Sequence, residues 1–259
     1  MLKITVLNDN APKNKFASEH GLSYIVEADK KILFDFGPSN IFIKNAKLLN
    51  INFDDIDTLV LSHGHWDHGN GLKYLKNKKL ITHPDSFQKK HRKKDNSYLG
   101  LPFSKKIAEK KFELILSKGP FQISKEITFL GEIPRLNNFE AKSTDFILDN
   151  GEDDFVMDDS AISVLTEKGL VVVAGCSHSG ICNIIEYAKK LSGIENVYGV
   201  IGGFHLKHND NQTKKTILYF KQNNIQKIFP SHCTALPALS QFYNAFKIEQ
   251  IHSGDIVHF

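Results

Sequence analysis

The sequence predicts an α/β protein in which two packed β-sheets carry helices on their outer faces. Three observations lead there. Hairpin-like strand pairs dominate early in each half, at residues 23–27 with 31–35 and at 161–166 with 170–174. Strand–helix alternation comes late, from about residue 181 onward. A single doubly wound sheet would alternate throughout, so two sheets with helices outside fit better. Finally, 259 residues can bury one large core, and no composition shift or linker divides the chain, so residues 1–259 are expected to form one domain.

The elements follow from local pattern. Residues 2–7 alternate as a strand, and no secretory signal is expected from so short and quickly polar a start. Asp29-Lys30 reads as the turn of the next hairpin. Gly37-Pro38-Ser39 stops it, and Ser39 is placed to cap a helix running to about Leu49, with Ile41, Phe42, Leu48 and Leu49 near one face. Residues 57–62 are a short apolar strand ending at His63. A helix near 71–76 and a strand near 80–82 follow. Residues 84–118 are Lys-rich and less regular, which predicts an insertion or lid. Strands resume at 121–123 and 127–131, and an Asp- and Asn-rich loop covers about 137–159. A second hairpin turns at Lys168-Gly169. Helices at 181–191, 213–223 and 238–246 then alternate with strands at 197–201 and 227–230, and the tail is strand-like.

Composition narrows the function classes. Hydrophobic content of 41% and charged content of 24% are ordinary for a globular protein. No apolar run approaches the roughly 18 residues of a membrane span, so no membrane partner is expected. The net charge of +4 is carried by dispersed Lys, with Arg only at 92 and 135, which disfavours a nucleic-acid partner. The run from Lys89 to Lys94 reads as a solvated face, with an anion-docking role as the minority alternative. Three cysteines in a chain of this size read as reduced thiols, which predicts a cytoplasmic protein.

The chemistry is concentrated in Ser62-His63-Gly64-His65-Trp66-Asp67-His68-Gly69. In an extended segment His63, His65 and Asp67 point to one side, and His68 follows as the chain turns. Imidazole and carboxylate are ligands for zinc, iron and manganese. Four candidate ligands in six residues exceed what one ion takes from so short a segment, so two divalent ions are expected. Three later apolar strands each lead into a histidine: Gly175-Cys176-Ser177-His178, Gly202-Gly203-Phe204-His205 and Ser231-His232-Cys233. Their placement follows the rule that open α/β layers build sites at the carboxyl ends of strands. The remaining histidines, His20 among them, lack this setting and read as structural or exposed, with His83 the leading exception.

The cluster resembles the signature of the metallo-β-lactamase superfamily. The hairpin leading to Phe34-Asp35-Phe36-Gly37 resembles its early Asp-Xaa-Gly turn. Gly131-Glu132-Ile133-Pro134-Arg135, Gly175-Cys176-Ser177-His178, Gly202-Gly203-Phe204-His205-Leu206 and His232-Cys233-Thr234 are similar to a subgroup labelled 7,8-dihydropterin-6-methyl-4-(β-D-ribofuranosyl)aminobenzene-5′-phosphate synthase-like. The resemblance implies a four-layer αβ/βα sandwich with the metals at one edge between the sheets. Two departures stand out. No His lies between Asn137 and Ala161, where the family has an isolated ligand, and the strand that ends in a bridging Asp in the family ends here at Cys176-Ser177-His178. Either His178 or Cys176 completes the set, with His178 preferred for its longer reach.

The expected centre therefore assigns His63, His65 and His178 to one ion and Asp67, His68 and His232 to the other. Cys176 and His205 are further candidate ligands. Zinc is the expected metal, with iron, manganese and magnesium as alternatives. Asp67 would orient the nucleophile and His205 would protonate a leaving group. Arg135 and Trp66 are the candidate substrate contacts. The predicted function is hydrolysis or phosphate-releasing chemistry on a small anionic, phosphorylated or pterin-like metabolite, using metal-activated water. A nucleic-acid phosphodiesterase and a non-catalytic sensing module are the alternatives.

Overall fold

A computed structural model describes residues 1–259. The first half contains β1 (Lys3–Asn8), β2 (Ser23–Glu27), β3 (Lys31–Phe34), β4 (Thr58–Val60), β5 (Lys79–Thr82), β6 (Lys90–Arg92) and β7 (Glu113–Leu116), with helices α1 (Ile41–Leu48), α2 (Trp66–Gly69) and α3 (Lys105–Lys111). The second half contains β8 (Phe121–Gln122), β9 (Ile127–Phe129), β10 (Phe146–Leu148), β11 (Ala161–Thr166), β12 (Gly169–Ala174), β13 (Val197–Gly203), β14 (Lys227–Ser231) and β15 (Ile256–His258), with helices α4 (Ile181–Ser192), α5 (Asn211–Gln222) and α6 (Leu236–Phe246). Seven strands form one sheet in the order β15-β1-β2-β3-β4-β5-β7, and six form the other in the order β14-β13-β12-β11-β9-β8. No helix is long and apolar enough to cross a membrane.

The period-2 alternation of the strands builds the layers. On β3, Ile32 and Phe34 enter the core between the sheets, while Leu33 faces the opposite way with Phe42 and Ala46 of α1. On β12, Val171 and Val173 enter that same central core, while Leu170, Val172 and Ala174 pack under α4 with Ile181, Ile184 and Ile185. All of these side chains are buried, and each Val, Leu, Ile or Phe among them contributes on the order of 1.5–3 kcal/mol. The result is the four-layer αβ/βα sandwich. The pairs β3-β4, β4-β5, β12-β13 and β13-β14 are parallel, so their carboxyl ends share one edge.

Two local expectations are corrected. The helix expected near 71–76 is a short 3₁₀ turn, Asn70–Tyr74, too brief for an amphipathic face. The segment 84–118 is not one insertion. Its first part carries β6, which pairs with β10 in a separate two-stranded ribbon, but α3 and β7 belong to the main layers, because β7 extends the first sheet beside β5. Ala108 and Phe112 are buried under that sheet, so the Lys content marks a solvated outer helix face.

Candidate metal centre

Every strand that predicted a site residue delivers it to one edge. His63, His65, Asp67 and His68 follow β4; Cys176 and His178 follow β12; His205 follows β13; His232 follows β14. The edge is tightly drawn. A Cβ on Gly175 would lie 2.2 Å from Ser62 Oγ, so only glycine lets the end of β12 meet the end of β4. Four non-glycine residues here adopt the left-handed region: Asp35 (φ 55°), Ser177 (φ 57°), His205 (φ 48°) and His232 (φ 48°). Each costs about 1–2 kcal/mol, and such strain gathers where a site over-determines the backbone.

Several groups of potential ligand atoms crowd this edge, and two of them adjoin. His63, His65 and His178 form one; His63 Nε2 lies 3.1 Å from His65 Nδ1, and the rings of His63 and His65 each stand 4.9 Å from that of His178. In the other, His68 Nε2 is 3.2 Å from His232 Nε2 and 3.9 Å from Asp67 Oδ2, and Asp67 Oδ2 is 3.4 Å from His232 Nε2. Cys176 Sγ sits between them, 3.1 Å from His68 Nε2 and grouped with His63 as well. Thus the two alternatives at the end of β12 stand together. His178 joins the His63 side and Cys176 lies between the two sides.

The hydrogen bonds test whether these residues suit a metal. The single Ser62 hydroxyl proton goes to Asp35 Oδ2 at 2.7 Å, because a carboxylate only accepts. Ser62 Oγ must then accept from His63 Nδ1, 2.9 Å away, which leaves the His63 Nε2 lone pair facing the cluster. His68 Nδ1 donates to Asp35 Oδ2 at 2.6 Å, and His232 Nδ1 donates to Asn10 Oδ1 at 3.0 Å. In all three rings Nε2 is the atom turned to the cluster, the arrangement by which outer hydrogen bonds orient ligand histidines. Nε2 of His178 is buried without a protein partner, whereas in His65 it is Nδ1 that faces His63 in the cluster. Such an uncompensated buried atom as His178 Nε2 is costly unless a cation takes it.

Electrostatics agree. Burial, with neighbouring cations, holds His65 neutral down to about 3, and holds His63 and His178 well below the usual imidazole range. Burial opposes charge on His68 too, but Asp35 and Asp67 outweigh it and raise its pKa to about 9. Burial likewise opposes charge on Asp67, yet His68, His20 and His232 hold it well below the carboxylate range. A cation entering this group would displace the proton on His68 and meet neutral imidazoles and an ionised carboxylate.

The cluster opens on a cavity of about 710 Å³. Trp66 lines it, half-buried, as do His205, Arg92, Lys93, Lys94 and Lys207. Lys93 and Lys207 are paired with Asp153 at 2.7 Å and Asp145 at 2.8 Å. The His205 ring lies 4.3 Å from that of His178, tilted by 50°, and its Nδ1 is buried without a partner. Arg135 does not join them. Its guanidinium donates to the Phe155 carbonyl at 2.7 Å and it lines a separate depression beside Asp85 and Gln88, which corrects the expectation that it meets substrate at the cluster. His83 is also elsewhere; its Nδ1 accepts from the Asp85 amide at 3.1 Å.

Sequence reasoning missed four contributors. His20 is at the site, its Nε2 3.2 Å from Asp67 Oδ2, not merely structural or exposed. Asp35 and Asn10 orient ligand rings. Lys90 is fully buried against Asp158 and, at 3.2 Å, Asp154; Asp158 Oδ2 accepts from the amide of Gly64, at 2.7 Å, between two ligand candidates. A buried Lys inside a solvated-looking run carries no sequence signal. For Asp35, the Asp-Xaa-Gly turn was the available one.

Comparison with known proteins gives concordant results. The metallo-β-lactamase superfamily model matches residues 19–188. The 7,8-dihydropterin-6-methyl-4-(β-D-ribofuranosyl)-aminobenzene-5′-phosphate synthase of Methanocaldococcus jannaschii is 37% identical over 98% of this chain and 95% of its own length. An uncharacterised protein of the same organism is 39% identical over 98% of this chain and 99% of its own. Among solved structures, Tm1679, described as a metal-dependent hydrolase of the β-lactamase superfamily, superposes with a TM-score of 0.90 at 30% identity, covering 100% of this chain and 99% of that one.

Proposed function

The chain belongs to the metallo-β-lactamase superfamily, and from that premise we propose a metal-dependent enzyme that uses a dinuclear centre to release phosphate or pyrophosphate from a small, anionic, pterin-like metabolite. The observation that carries this reading is the pair of joined ligand groups, His63/His65/His178 and Asp67/His68/His232, with Cys176 between them. Bound divalent ions, zinc foremost given the imidazole and thiol donors, supply Lewis acidity toward phosphoryl oxygens and activate water.

The protein's own groups do the rest. Asp67, held ionised, accepts a hydrogen bond from the attacking group and orients it. His205, at the cavity wall beside His178, donates a proton to the departing oxygen. Arg92 and Lys94 at the cavity rim favour an anion, and Trp66 offers an apolar face to a flat ring. The synthase relative, by its name, favours a condensation that builds a dihydropterin–arylamine phosphate, and the structural relative, described as a metal-dependent hydrolase, favours hydrolysis.

The test is elemental mass spectrometry of chelator-free protein beside His65→Ala, followed by pyrophosphate and phosphate release from a dihydropterin diphosphate with and without an arylamine ribosyl phosphate. Two metals per chain, a clear loss in the variant and metal-dependent release support the proposal. A metal-free protein after reconstitution overturns it. Release that depends on the arylamine selects condensation.

A further inference from the structure

His20, Asp67 and His232 place three ligand atoms within 4.8 Å of one another, so by proximity alone His20 is a candidate ligand. The hydrogen bonds of Asn10 decide otherwise. Amide orientation in Asn is fixed only by partners of known polarity, and Asn10 has two. The Gly21 backbone N–H can only donate, and it reaches Asn10 Oδ1 at 3.2 Å. The His232 carbonyl can only accept, and it faces Asn10 Nδ2 at 3.0 Å. Nδ2 is therefore the donor end and Oδ1 the acceptor end.

Both remaining contacts of that amide are imidazole nitrogens. Oδ1 lies 3.0 Å from His232 Nδ1, which must carry a proton to donate. Nδ2 lies 3.2 Å from His20 Nδ1, which must offer a lone pair. A neutral imidazole has one proton, so it sits on Nδ1 in His232 and on Nε2 in His20. The His232 Nε2 lone pair is then free toward His68 and Asp67. The His20 Nε2–H instead points at Asp67 Oδ2, 3.2 Å away, with no lone pair to offer.

We propose that Asn10 is a positioning residue of the centre: its single amide locks His232 in the ligand tautomer and His20 in the opposite one, excluding His20 from coordination and making it a hydrogen-bond donor to Asp67. The consequence, which rests on the metal reading above, is that the Asp67/His68/His232 side keeps one protein ligand fewer than proximity would allow. Catalytic metal sites differ from closed structural ones in just this respect, an exchangeable position facing the substrate. His20 stands on the cavity side, 57% exposed in its side chain, so the position it forgoes faces the cavity.

The experiment is two-bond ¹H–¹⁵N correlation of the histidine rings in ¹⁵N-labelled protein, metal-free and zinc-loaded, across the pH range the fold tolerates. His20→Gln identifies the His20 signals and is counted for zinc. The expected result is a neutral His20 protonated on Nε2 in both states, a neutral His232 protonated on Nδ1, and unchanged zinc stoichiometry in His20→Gln. In Asn10→Asp the introduced carboxylate should pull the His20 proton to Nδ1, and zinc should then shift the His20 Nε2 resonance. An Nδ1-protonated His20 in the wild type, or loss of one zinc equivalent in His20→Gln, overturns the proposal. Should zinc fail to bind at all, the metal reading falls, while the metal-free tautomers still decide the role of Asn10.

Discussion

Replacing Lys90 by Met should damage this protein more than any other lysine substitution, because it leaves charge stranded in the interior. Lys90 is 1% exposed, with its ammonium on Asp158 and, at 3.2 Å, on Asp154, themselves 1% and 4% exposed. Methionine keeps all but the terminal atom of the unbranched chain, so the loss is chiefly electrostatic. Breaking a buried pair from one side costs about 3–5 kcal/mol, because the remaining ion is uncompensated. At roughly 2–4 °C per kcal/mol for a chain of this size, Tm falls by roughly 6–20 °C.

The pH dependence distinguishes this account from simple loss of packing. In the wild type, burial opposes ionisation of Asp158, but Lys90 outweighs it and holds the carboxyl below its ordinary 3.8. A depressed native pKa contributes stability above the unfolded value and loses it as pH falls through the native one. Without Lys90 the burial penalty outweighs the hydrogen bond that remains from Gly64 and raises the carboxyl, so acid relieves the variant by protonating it. The gap between wild type and Lys90→Met should therefore narrow as pH falls from neutral toward 4. Urea titrations at several pH values measure it. A gap below about 1 kcal/mol at neutral pH, or one that widens in acid, refutes the reasoning. The double variant Lys90→Met with Asp158→Asn should recover part of the loss while still slackening Gly64, which Asp158 anchors.

Other perturbations test the frame around the cluster. Asp35→Asn weakens the acceptor shared by His68 Nδ1 and Ser62, and should lower zinc affinity about 10- to 100-fold with the fold retained, as read by chelator competition. Gly175→Ala places a Cβ against Ser62 Oγ at 2.2 Å and should cost about 1–3 kcal/mol in denaturant stability; a neutral substitution would show the two strand ends to be less tightly joined.

Much of this was legible because it is periodic or dense. Residues 161–166 and 170–174 were legible as two strands joined at a turn, although the uniformly apolar run Leu170 to Ala174 leaves its two faces to be told apart by packing, and His63 to His68 marked the candidate site by sheer concentration of potential ligands. His178, His205 and His232 were readable since each follows a buried strand, and strand ends are where such layers assemble sites. The choice between Cys176 and His178 was not readable. Two residues apart after one strand, with Ser177 in a left-handed turn between them, His178 joins the His63 side while Cys176 lies between the two sides. Nor could the 84–118 segment be divided, since Lys-rich helices and lids share composition and only pairing of β7 with β5 separates them.

The sequence by itself determined the layered fold, the superfamily and the candidate ligands carried in one short motif, because these depend on local pattern and on neighbours in the chain. Tertiary structure decided which lone polar residues serve the centre. Asn10 meets His232 across 222 positions, Lys90 meets Asp158 across 68, and His68 meets Asp35 across 33. Hydrogen bonds and ion pairs act over a few ångströms in space, and separation along the chain carries no trace of them until the sheets have packed.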